Sequence, residues 1–325
     1  MNYFILAKIG NVNMKKTFQK TLIAAAAGVA LMSAVGTASA NSLLFPYFTT
    51  ATGAQSVLSL SNAGVSVAAA TNAIHYVYNY GSACTHYDAS GSLTANDILT
   101  HSIAATTAGG FGKAVGTDTS TPVYFPLSGQ TGFLVVSTKT TATTDGLRGS
   151  MAIVDPATGL VVSYAGIDNG LDTTGADEGD FSANTDLNFV LTTLPSALVT
   201  TSWYGVVVGD MNADIVAGRD WKAGANFTNN GNVYNNDEVA YSGTVSKVIT
   251  CAGSITSADL MTGAQVAAVG TNGGLIKTTA TAVAPTAPSV GTTTGVVMMK
   301  MQTVQAAAGA PFAGKQFLHR EQEAK

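Results

Sequence analysis

Met151-Ala-Ile-Val-Asp-Pro-Ala-Thr-Gly-Leu-Val-Val-Ser-Tyr164 decides the fold class. Two apolar, β-branched runs, 151–154 and 160–164, flank Asp155-Pro156-Ala-Thr-Gly159. Asp, Pro and Gly at those offsets build a type I turn closed by a left-handed glycine, so the segment reads as a β-hairpin. Similar runs lie on either side of it. Ile74-His-Tyr-Val-Tyr-Asn-Tyr80 and Gly132-Phe-Leu-Val-Val-Ser-Thr138 are rich in the aromatic and β-branched residues that fit a pleated surface. Gln55–Ser61 alternates, and Pro122–Pro126, Phe189–Leu194, Trp203–Val208 and Thr244–Cys251 complete the set. Residues 166–186 are Gly- and Asp-rich and read as a loop. Helical spacing recurs only in Ser257–Val269, through Leu260, Met261, Ala264, Val266 and Ala267. Many short strands with turn signals between them predict an all-β chain with a β-sandwich or jelly-roll-like body. A membrane barrel would need evenly spaced strands of about ten residues, and the spacing here is irregular.

Two segments frame that body. Residues 277–295, Lys-Thr-Thr-Ala-Thr-Ala-Val-Ala-Pro-Thr-Ala-Pro-Ser-Val-Gly-Thr-Thr-Thr-Gly, read as a flexible Thr/Ala/Pro linker. Val296–Val304 then reads as a detached C-terminal strand, with a loosely ordered tail from Ala306 to Lys325. Such a strand either folds back onto its own sheet or adds to a neighbouring molecule's sheet edge. At the other end, Leu43, Leu44 and Phe45 lead to Pro46, which confines a strand to an edge or a start. The expected division is 1–40, a β-rich domain over 41–276, the linker 277–295, and strand and tail over 296–325.

The first of these parts carries the compartment. Met14 opens a basic stretch with Lys15, Lys16 and Lys20, followed by the apolar run Thr21–Val35 and Ala38-Ser39-Ala40. These are the three parts of a cleavable secretory signal, and the apolar run is shorter than the roughly 20 residues of a membrane-spanning helix. Residues 1–13 read as an upstream extension, and the mature chain is expected to start at Asn41. Export to the cell surface or the extracellular space follows, with the periplasm as the alternative.

Composition agrees with that destination. The chain is 46% hydrophobic and 10% charged, against about 25% charged for an average soluble domain. Lys8, Lys15, Lys16 and Lys20 are four of the 15 basic residues, which leaves 11 against 19 acidic ones beyond residue 40, a net of −8. That acidic balance and the lack of a basic run argue against nucleic acid as a partner. The two cysteines, Cys84 and Cys251, both lie in the exported part and are expected to form a disulfide.

Chemistry-bearing patterns are sparse. No Gly-x-Ser-x-Gly, phosphate-binding loop or His-Glu-x-x-His occurs, and there are four histidines, His75, His86, His101 and His319. His75, Cys84 and His86 are close in sequence but match no metal-ligand spacing. Asp168, Asp172, Asp177, Glu178, Asp180 and Asp186 form one acidic group. Asp210, Asn212, Asp214 and Asp220 form another, and Gly209-Asp-Met-Asn-Ala-Asp214 resembles the start of an EF-hand or dockerin calcium loop. Ile215 stands where that loop has its turn glycine, and Asp220 falls one position early. Calcium is the one cofactor this pattern suggests. Trp203 and Trp221, with Tyr204 and Tyr234, could form a carbohydrate platform, while large aromatics also serve as core. Asn226-Phe-Thr228 fits a glycosylation sequon.

Ser42-Leu-Leu-Phe-Pro-Tyr-Phe-Thr-Thr50 and Ser59-Leu-Ser-Asn62 resemble the corresponding segments of a loose group of exported bacterial proteins. The resemblance implies a place at the cell surface and carries no site residue. The function expected from the sequence is a non-enzymatic envelope or extracellular structural protein, self-assembling by strand addition. Its partners would be copies of itself or other surface components. The alternative is a carbohydrate- or surface-ligand-binding β-sandwich module stabilised by calcium.

Overall fold

The computed structural model describes residues 42–62, 73–94, 96–103, 127–138, 146–155, 160–169, 179–184, 186–305 and 316–321. In chain order the strands of the first half are β1 (Ser42–Thr49), β2 (Gln55–Asn62), β3 (Ala73–Tyr80), β4 (Thr85–Ser92), β5 (Ile98–Ser102), β6 (Thr131–Thr138), β7 (Leu147–Asp155), β8 (Leu160–Ala165) and β9 (Ile167–Asp168). The second half holds β10 (Asn188–Thr193), β11 (Val199–Asp210), β12 (Gly224–Asn235), β13 (Ala240–Ser242), β14 (Ser246–Thr250), β15 (Ala252–Thr256), β16 (Gly274–Val283), β17 (Thr292–Val304) and β18 (Gln316–Glu321). Short helices occupy Asn212–Val216, Ser257–Leu260 and Gly263–Asn272. No described helix is long and apolar enough to cross a membrane.

These strands form three sheets, antiparallel except where β18 meets β8. The longest runs β15-β11-β17-β18-β8-β7-β2-β5 and takes four strands from each half of the chain. A second sheet, β4-β3-β6-β1-β9, comes from the first half, and a third, β10-β16-β12 with β13 and β14 on β12, from the second. The architecture is all-β and sandwich-like, with no closed barrel.

The centre of the long sheet is covered on both faces. Tyr204 of β11 packs edge-on against Tyr47 of β1, ring centroids 5.0 Å apart. Its neighbour Trp203 lies opposite Lys300 of β17, whose Nζ donates to Thr192 Oγ1 on β10 at 2.6 Å. Adjacent side chains on a strand point to opposite faces. The second sheet therefore covers one side of β11 and β17, and the third covers the other. Burial follows: Trp203–Val208 and Val296–Met299 are all buried without alternation. Strands covered on both faces read as continuous apolar runs rather than alternating ones. By contrast β2, covered on one face, alternates buried and half-buried residues.

Several expectations are corrected here. The linker does not exist as one: residues 277–283 belong to β16, and β17 begins at Thr292. Thr and Ala at a two-residue period serve a half-buried strand as well as a linker, and β16 alternates in its middle. Val296–Val304 is not detached. It pairs with β11 along nearly the whole of that strand and sits deep inside the long sheet. β1 is no edge either, lying between β6 and β9. Pro46 is accommodated because the β1–β6 register shifts between Phe45 and Phe48, so its missing N–H costs no ladder bond. The helical stretch expected over 257–269 is two helices broken at Met261-Thr262. Thr262 and Gln265 form a capping box that starts the second. The strand expected at Pro122–Pro126 lies outside the described residues.

Candidate functional site

The densest chemistry lies where the β3–β4 turn meets the second half of the chain. Cys84 ends the turn, its N–H donating to Gly81 O at 3.2 Å, and Cys251 separates β14 from β15. Both have positive φ, 55° and 62°, a conformation that is uncommon outside glycine. Cys251 is fixed by its own backbone, with N–H to Ala223 O at 2.6 Å and its O accepting from Val207 N at 2.7 Å. Both side chains are buried, and the two thiols lie near each other. The Cys84 sulfur also lies 3.3 Å from Thr250 O. The neighbouring Cys251 side chain holds the Cys84 thiol below its usual pKa, while burial pushes that of Cys251 well up. The expected partners are therefore adjacent, but as two free thiols rather than a disulfide.

A chain of ionisable side chains runs beside them. His86 of β4 donates its backbone N–H to Asp220 Oδ1 at 3.1 Å, and its ring Nδ1 lies 2.7 Å from the same oxygen. On the other side of the ring, Nε2 is 3.7 Å from Asp88 Oδ2, and Asp88 Oδ1 is 3.8 Å from His75 Nε2. Lys222 Nζ is 3.6 Å from Asp220 Oδ2. Burial pushes the Asp220 carboxyl upward, but the hydrogen bonds from His86 outweigh it and hold the group below its ordinary value. Gly218 makes the approach possible. Its φ is +60°, and a Cβ there would lie 2.9 Å from Asp88 Oδ2. The network joins β3 and β4 to residues 218–222 of the other half. Among the described residues, no group of three or more His, Cys, Asp or Glu side chains is placed to hold a metal ion.

The calcium expectation at Asp210, Asn212, Asp214 and Asp220 is corrected by where these residues point. Asp210 accepts from the Asn212 N–H at 3.1 Å, a local turn. Asn212 opens a helix, so the stretch does not curl into an oxygen-lined loop. Asp214 is buried and turns to residues 289–291. It accepts from Ser289 Oγ at 2.9 Å, Val290 N at 3.0 Å and Gly291 N at 2.9 Å. Asp220 is engaged by His86. Each member has its own partner and the oxygens do not converge. In the other acidic group, Asp172, Asp177 and Glu178 lie outside the described residues, and Asp180 caps Ser182 N at 2.9 Å.

The carbohydrate platform is likewise corrected. Trp203 and Trp221 are among the largest fully buried side chains, so neither presents a face to a sugar. Trp221 donates its Nε1 to Val207 O at 2.8 Å, tying residue 221 to β11. Asn226 of the sequon sits inside β12, paired with Val248 and Thr281.

Sequence reasoning missed one cavity. A cleft of about 300 Å³ opens between the start of β11 and the helix Gly263–Asn272. Leu194, Val199, Met261, Val266 and Val269 give it an apolar lining, and Thr201 lies in its wall. Among the described residues, no ionisable side chain lines it. It draws on three separated segments, so no local pattern could have announced it. The Asp88 contacts were more accessible, since His86 and Asp88 at a two-residue spacing share one face of β4. No family model, curated protein or solved structure matches this chain.

Proposed function

We propose that this chain is an exported, non-enzymatic structural protein of the cell envelope or extracellular space, locked by a Cys84–Cys251 disulfide and assembling with copies of itself. The observation that carries the reading is the apposition of the two thiols. Cysteines from opposite halves of the chain are held near each other in the interior, where an oxidising compartment would join them. The export-type segment Met14–Ala40 supports the same compartment. Low charge and sheets that share one core suit a durable scaffold more than a site built to react.

Cell fractionation with intact-mass measurement of the native protein tests this. Surface or secreted protein lacking residues 1–40, lighter by two hydrogens than its reduced form, is the expected result. Protein that retains residues 1–40, stays in the cytosol and carries two thiols would sink the proposal.

A second reading, binding of a surface ligand, draws on the cleft beside β11 rather than on the tryptophans. Its uncharged, hydroxyl-edged lining suits a neutral, largely apolar molecule. Saturable binding of the neutral probe N-phenyl-1-naphthylamine, lost in Val266→Trp, would favour it.

A further inference from the structure

The long sheet is continuous between the two halves of the chain through one strand, β18. It runs antiparallel to β17 over six pairs, from Met298–Glu321 to Thr303–Gln316. Among the described residues its other edge meets β8 in parallel at the pair Gln316–Leu160. Without β18, both β17 and β8 would present unpaired backbone groups, and Met298–Thr303 of β17 would lie in an open edge.

The slot has its own selectivity. Leu318 is buried and lies opposite Met301 in the register. Arg320 is half-buried. Burial pulls its guanidinium below the usual value, and the nearby Asp186 carboxylate opposes that. The strand in this slot thus presents a buried apolar residue and a half-buried arginine two positions apart.

The connection is long for what it joins. Adjacent antiparallel strands need a turn of only about two to five residues. Here residues 305–315 lie between β17 and β18. At about 3.3 Å per extended residue, a connection of that length can span roughly 35 Å, against strand spacing of about 4.8 Å.

We propose that β18 is an exchangeable strand: the slot between β17 and β8 of one copy accepts residues 316–321 of a second copy in the same register. The inference rests on the self-assembly reading and supplies its contact. Exchange keeps every native pairing, which is why swapping an identical element is a low-cost route between copies. Where the swap runs head to tail and does not close, it builds an open chain of molecules.

The test uses the full chain carrying Thr303→Cys with Gln316→Cys, opposite each other in the β17–β18 ladder. Isotope-labelled and unlabelled copies are unfolded together, refolded and oxidised, and the cross-linked peptides are read by mass spectrometry. In the assembled fraction, cross-links mixing the two isotopes in statistical proportion are expected. Cross-links joining only peptides of the same isotope, within assemblies that still form, would overturn the exchange and leave self-assembly by another surface. Material that stays monomeric at every concentration would overturn the assembly reading and the exchange with it. The neighbouring pair Gln302→Cys with Phe317→Cys repeats the measurement if the first variant does not fold.

Discussion

Cys84 and Cys251 lie near each other in the interior, one from the β3–β4 turn and the other from between β14 and β15. A bond there closes a loop spanning about half the chain. The chain-entropy account gives about 5 kcal/mol for so long a loop, less any strain. Oxidised protein should unfold at a higher urea concentration than reduced protein. Cys84→Ser and Cys251→Ser should each remove the effect of reductant. A midpoint indifferent to reductant in the native chain would show that the thiols never join.

Asp214 should behave as a structural acceptor. Replacing it by Ala leaves the Ser289 hydroxyl and the Val290 and Gly291 N–H groups without their shared partner. A buried, charge-assisted network of this kind is worth about 2–4 kcal/mol on truncation. Urea denaturation of Asp214→Ala reads that loss directly.

Calcium should change little. With Asp214 and Asp220 engaged elsewhere and Asp210 closing a local turn, chelator or added calcium should leave the thermal midpoint where it was. An upward shift that saturates with calcium and disappears in Asp210→Ala would restore the calcium loop.

Acid should loosen the junction between the halves. The carboxyl of Asp220 is held below its ordinary value in the fold, so its contribution to stability is complete above the unfolded value of about 4. It is lost as pH falls through the lowered folded value. Urea midpoints measured down that window should drop for the native chain and drop less for Asp220→Asn. Equal slopes would remove Asp220 from the acid response.

Gly132 should tolerate no side chain. A Cβ there would lie 2.0 Å from Asn79 O, and backbone in the middle of a sheet cannot move aside as a side-chain tip can. Gly132→Ala should lower soluble yield and thermal midpoint together, while Gly129→Ala, with open space at its Cβ but φ of +70°, should cost less.

Strands were legible wherever one face is covered or a turn is explicit. The hairpin 151–164 and the alternation of β2 follow from period and punctuation alone. Layering was not legible. Val206-Val-Val208 and Val296-Val-Met-Met299 look like any apolar run, and what distinguishes them is a sheet on each side, a property of distant residues. The same limit explains Trp203 and Trp221, whose burial depends on partners far along the chain. Asp214 was visible as an acid in a turn, but its three donors lie in 289–291, read from composition as linker. Proximity of Cys84 and Cys251 was anticipated from compartment and number, not from any local pattern.

The long sheet is a party wall. Its middle strands complete the interior of both halves, so a chain cut within residues 170–178 would leave each fragment with an apolar surface matching the other. Two such pieces made separately have reason to find one another, and a reporter split between them would light only on reunion. A molecule with that property keeps its unity by a common boundary rather than by the peptide bonds that run across it.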